Sequence, residues 1–88
     1  MTGKERARLK SMASTEDTII HVGKSGITPA VVASVDAALA ARELVKGRVL
    51  ESSMLTAREA CEQLGEACGA EPVQTIGTKF VLYRKKKD

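Results

Sequence analysis

Gly23-Lys24-Ser25-Gly26 is the short segment of this 88-residue chain whose residue types and spacing best suit a ligand. Gly-Lys-Ser is how a phosphate-binding P-loop ends, but such a loop needs a further glycine five positions upstream, and Thr18 stands there. What remains is a Gly-x-x-Gly turn with Lys24 at its tip. Thr28 and Pro29 follow, an N-cap and a first helical residue. The start of a helix directs unpaired N–H groups and a partial positive charge toward the turn. The two glycines permit positive φ and a close approach of backbone. That assembly suits a phosphate, above all one in a nucleic-acid backbone, although as a plain turn the four residues need no ligand.

Catalysis finds little to work with. His21 is the single imidazole and sits by a strand end, where a satisfied structural histidine is the commoner case. Cys61 and Cys68 fall on the apolar stripe of a helix, where a free cysteine behaves as a small hydrophobe. One histidine and two helical cysteines do not make a tetrahedral zinc site. Glu59, Glu62 and Glu66 crowd an exposed helix face rather than forming an acid/base pair. The expectation is a protein that is not an enzyme, with no metal, no cofactor and no small-molecule substrate.

Composition narrows the class further. With 43% apolar and 28% charged residues the chain suits one small domain, and Phe80 and Tyr83 are its only aromatic residues. So few rings argue against readers of RNA that stack bases on aromatic platforms. No run approaches the roughly 18 consecutive apolar residues of a membrane span, so no membrane partner is expected. The charged opening Met1 to Arg6 is unlike a secretory signal, and two cysteines suit a reducing compartment, so a cytoplasmic location is expected. The net charge of +3 is unevenly spread. Residues 1–10 carry +3, residues 42–48 carry +2 and residues 79–88 carry +4, against −4 over residues 49–78. Three basic segments can converge into one patch on folding, or simply form a solvated surface.

These residues must be positioned by seven elements. Leu9, Met12 and Ala13 have helical spacing within residues 2–14, with Lys4 and Arg8 one turn apart on another face. Asp17 to Val22 reads as a buried strand, and Pro29 to about Arg42 as a helix with Val31, Val35, Ala38 and Leu39 on its apolar stripe. Ile27 and Val32 fit a hydrophobic staple across its cap. Leu44 to Leu50 reads as a strand with Lys46 and Arg48 on one face and Val45 and Val49 on the other; Gly47 weakens it or marks a bulge. Residues 56–68 form a helix whose stripe is Ala57, Ala60, Cys61, Leu64, Ala67 and Cys68, stopped by Gly69. Val73 to Ile76 and Phe80 to Tyr83 are strands joined at Gly77-Thr78 as a hairpin. The order α-β-α-β-α-β-β implies an α/β domain with two right-handed parallel crossovers and a C-terminal hairpin completing a four-stranded mixed sheet. In that topology Arg48 is expected near Lys24.

The string Ile20-His21-Val22-Gly23-Lys24-Ser25-Gly26-Ile27-Thr28 resembles the signature of the CRM domain (chloroplast RNA splicing and ribosome maturation), whose stand-alone bacterial form is the YhbY-like family. Glu43 to Lys46, Gly69 to Glu71, Val73 to Gly77 and Val81 to Arg84 are similar to its later blocks, in order, and Thr2-Gly3-Lys4 with Leu9 to its opening. The likeness runs over roughly residues 2–84, which sets a domain over 1–84 and a basic tail over 85–88. It implies an RNA-binding domain similar to the C-terminal domain of bacterial translation initiation factor 3. It also implies association with large-subunit precursor particles in bacteria, and with group II intron splicing in plant organelles. The expected RNA-binding residues are Gly23, Lys24, Ser25 and Gly26 in the turn, then Lys4, Arg8, Lys46, Arg48 and Arg84. Two residues depart from the family pattern: Gly47, where a β-branched residue is usual, and His21, where Gln or Asn is. The resulting expectation is a binder of ribosomal RNA in large-subunit assembly. The other readings are an intron-splicing module and, from a different class, a protein-interaction adaptor that uses the acidic third helix.

Overall fold

The computed structural model describes residues 2–85 and contains helices α1 (Gly3–Ala13), α2 (Pro29–Arg42) and α3 (Ala57–Cys68) with strands β1 (Thr18–Val22), β2 (Leu44–Val49), β3 (Glu71–Ile76) and β4 (Lys79–Tyr83). The four strands form one mixed sheet in the order β1-β2-β4-β3. β1 and β2 are parallel, while β4 is antiparallel to both β2 and β3. This is the expected α/β architecture with a four-stranded mixed sheet; the element order alone leaves the sheet order open. The C-terminal hairpin inserts β4 beside β2 and leaves β1 and β3 as the edges.

Each helix starts where a side chain can satisfy its first N–H groups. Thr2, Thr28 and Thr56 accept from the backbone N–H of Glu5, Val31 and Glu59. At α3 the Glu59 carboxylate reciprocates to the Thr56 N–H at 3.0 Å, a capping box whose signal Thr56-x-x-Glu59 lies in the sequence. Gly69, at φ +62°, ends α3 as expected.

The sheet is covered on both faces. α2 and α3 cover one, where Ile20, Val22, Val35, Leu39, Val45, Val49, Leu64, Phe80 and Leu82 form the larger core. α1 lies on the other, where Leu9 and Ala13 pack on Leu44, Val73 and Val81 with Tyr83 alongside. Of the stripe residues, Val31 and Ala38 are half-buried against the larger core and two are exposed. Met12 is 44% exposed because the short α1 crosses the sheet on Leu9 and Ala13 alone. Ala67 is exposed, and Gly65 takes the buried position instead, since a Cβ there would lie 2.9 Å from the Ala70 carbonyl oxygen. Strands β3 and β4 also start earlier than the apolar pattern suggests, at Glu71 and Lys79, because pairing continues past the apolar residues.

Gly47 neither weakens β2 nor bulges it. The β2–β4 register runs unbroken from Leu44 to Arg48, and the irregularities lie in β1 between Thr18 and Ile20 and in β3 between Pro72 and Gln74. Gly47 is paired with Phe80, and a Cβ at Gly47 would sit 2.3 Å from the ring's Cζ. The phenyl ring occupies the volume that a β-branched residue would fill.

Both cysteines belong to the α2–α3 side. Cys61 is 1% exposed, with its thiol 3.7 Å from the Val81 carbonyl, and burial together with the charge of Glu62 pushes it up to about 11. Burial and Asp36 also raise Cys68, partly offset by Arg84. Because the folded Cys61 thiol ionises above its ordinary value of 9, its contribution to stability is full below pH 9 and is lost as pH rises toward 11. Both thiols are expected to label with a disulfide reagent at pH 8 only as fast as the domain opens. Rapid labelling of the native protein would contradict the buried placement.

Candidate nucleic-acid interface

The site is built from the carboxyl ends of the two parallel strands. β1 runs into Gly23-Lys24-Ser25-Gly26, which closes as a tight turn when the Gly26 N–H donates to the Gly23 carbonyl at 3.0 Å. Within the turn only Gly26 has positive φ (+68°); a Cβ at Gly23 would make ordinary contact, 3.6 Å from Leu50 Cδ1 and 3.8 Å from Ser52 Oγ, so the packing does not demand glycine there. Lys24 and Ser25 occupy the two exposed corners. Pairing extends past β2 as the Leu50 N–H donates to the Val22 carbonyl at 2.8 Å, so the loop after β2 lies against the turn. α2 begins directly beyond the turn and has no acidic residue in its first turn, whereas α1 and α3 carry Glu5 and Glu59 there. Its dipole is therefore the least neutralised of the three at the place where Lys24 stands.

Beneath the turn, on the α1 side of the sheet, the register aligns a row across all four strands. His21 pairs with Arg48, Arg48 with Lys79, and Lys79 with Ile76. All four are exposed, because α1 covers only the part of this face around Leu44, Val73 and Val81. Adjacent β strands lie about 4.8 Å apart, so neighbouring side chains in the row are spaced closely enough to follow successive phosphates. One step along β2, Lys46 is level with Val81, and it shares a groove with Lys10, Lys79 and Gln74. Lys46 Nζ also donates to the Ala13 carbonyl at 3.3 Å, satisfying the last turn of α1. Among the described residues the face therefore gathers Lys10, Lys46, Arg48 and Lys79 beside His21, an arrangement suited to a polyanion.

The expected residues divide accordingly. Gly23, Lys24, Ser25 and Gly26 form the turn, and Lys46 and Arg48 share the open face with His21, Arg48 being level with His21, three positions before Lys24. Arg8 lies within electrostatic range of Tyr83, at the far ends of the strands, and Lys4 is exposed one turn earlier on the same helix, so the pair is not gathered with the row. Arg84 is engaged elsewhere: its guanidinium bonds the Asp36 carboxylate at 2.6 Å, the Asp36 carbonyl at 3.0 Å and the Cys68 carbonyl at 2.8 Å, tying α2 to the end of α3. In the basic tail, Lys85 is exposed and residues 86–88 lie outside the described part. Lys10, Lys79 and Gln74 were not singled out from sequence, since only the strand order and the face taken by α1 bring them together. His21 is exposed in the row. No three of the described His, Cys, Asp and Glu residues form a group able to hold a metal ion, and no helix among the described residues is long and apolar enough to cross a membrane.

Known proteins resemble this chain along its whole length. The model of the CRS1 / YhbY (CRM) domain matches residues 1–84. A Bacillus subtilis protein named "Probable RNA-binding protein YqeI" is 35% identical over 88 residues, spanning 100% of this chain and 92% of its own. A Haemophilus influenzae protein named "RNA-binding protein" is 30% identical over 88 residues, spanning 100% of this chain and 89% of its own. The solution structure of protein SAV1595 from Staphylococcus aureus matches with a TM-score of 0.83 at 39% identity, covering 100% of this chain and 92% of that one. With the family model matching residues 1–84 and relatives and a solved structure alike over nearly their full length, the chain belongs to the CRS1/YhbY (CRM) domain family.

Proposed function

We propose that this protein binds RNA without being an enzyme, and that it acts in the cytoplasm on ribosomal RNA of large-subunit precursor particles. The observation that carries the reading is the cationic row His21–Arg48–Lys79 set below the Gly23–Gly26 turn, with Lys46 and Lys10 beside it. Such a row of cations holds phosphates, and the scarcity of aromatic residues fits recognition through backbone and shape. The two relatives whose names include RNA binding support the same partner class.

The test is sedimentation of cell extract through a sucrose gradient at low salt. The protein is expected to run with large-subunit precursor particles and to leave them as salt rises, since each phosphate contact adds about one unit to the salt slope. A protein that stays at the top of the gradient yet binds RNA in isolation would overturn the ribosomal assignment and favour the splicing-module reading.

A further inference from the structure

The groove between the second half of α1 and the open part of the sheet has a volume of about 340 Å³. That is at the small end of the range for ligand sites, about 300–1,000 Å³, and suits one nucleotide rather than a stretch of helix. Its chemistry is divided. Ala13, Val81 and Ile76 give it an apolar lining, and Ile76 remains 63% exposed although it stands in a row of cations. Lys10, Lys46 and Lys79 border it; the Gln74 amide supplies a neutral donor and acceptor, and the Ser14 hydroxyl, which donates to the Ser11 carbonyl, a further acceptor. A surface that served phosphate alone would have no use for an exposed isoleucine and an amide at the end of its cationic row.

We infer that this groove seats a single unpaired nucleotide of the bound RNA. The base lies against Ile76 and Val81 with its edge toward Gln74, and its flanking phosphates meet Lys46 and Lys79. A paired base cannot enter, because its edge is turned into the helix and its faces are covered by its neighbours. The target class is then RNA helix interrupted by a bulged nucleotide, distinct from continuous duplex. This inference rests on the RNA-binding reading above and adds a structural preference to it.

The test compares two RNA hairpins of the same stem, one fully paired and one carrying a single bulged nucleotide, in filter-binding titrations with the full chain. The bulged hairpin is expected to bind about tenfold tighter. In the double variant Ile76→Ser/Gln74→Ala the preference, read as the ratio of the two affinities, is expected to vanish. Both positions are on an edge strand, and circular dichroism establishes that the variant is folded. Equal binding of both hairpins by the wild type overturns the nucleotide site and leaves the RNA reading standing. A preference that survives the double variant shows that the groove is not its source. Failure to bind either hairpin at low salt overturns the RNA reading and this inference together.

Discussion

Substituting alanine for Gly47 is expected to lower the stability of the domain by about 3 kcal/mol, the upper end of the range for an overpacked core. The added methyl group would lie under 3.0 Å from three atoms of the Phe80 ring, at 2.3, 2.6 and 2.9 Å. Phe80 is 0% exposed and packs among residues of β1, β2, α2 and α3, so the ring has no space into which to turn. For a chain of this length total stability is about 4–13 kcal/mol, and the loss is a large part of it. Urea denaturation of the single variants and of Gly47→Ala/Phe80→Leu checks the cause. Leucine lacks the distal ring atoms, so the double variant is expected to be more stable than the sum of the two single effects. A Gly47→Ala variant within about 0.5 kcal/mol of wild type would show that the ring does not require this glycine.

The largest effect on binding is expected from reversing charge in the middle of the row. Arg48→Glu/Lys79→Glu removes two cations and installs two anions at adjacent positions, and should weaken RNA binding on the order of 100-fold at low salt while reducing the salt slope by about two. Lys46 is a poorer choice for this test, because it also holds the Ala13 carbonyl and its loss would disturb α1. The control is Glu62→Lys/Glu66→Lys on the exposed face of α3. Glu62 there pairs with Arg58 in a solvent-exposed ion pair at 3.3 Å, which contributes little. Binding should stay equal or become slightly stronger. If the α3 change instead abolished association with ribosomal particles and left RNA affinity intact, α3 would be a docking face for protein.

What could be read in advance follows from which information is local. Caps, turns and strand alternation are set by residues a few positions apart, so Thr28-Pro29, Gly69 and Gly77-Thr78 marked their elements correctly. The likeness of Ile20 to Thr28 to a family signature placed the turn as well. The cationic face is a different matter. Lys10, Lys46 and Lys79 are far apart in the chain and meet only because β4 inserts beside β2 and α1 packs on that face. Charge sums could find basic segments but not their direction, and so they weighted Lys4, Arg8 and Arg84 together with Lys46 and Arg48. The role of Gly47 was hidden for a similar reason, since its cross-strand partner Phe80 lies 33 positions away in sequence.

The first helix and the last strand meet at the end of the sheet opposite the Gly23–Gly26 turn. Glu5 and Arg8 act on Tyr83, and the Arg84 N–H closes on the Glu43 carbonyl at 2.9 Å. Polypeptide joined at either side would therefore depart from one pole and leave the turn at the opposite pole uncovered. A fold with that geometry works as a cassette, to which further segments can be joined without passing over the turn.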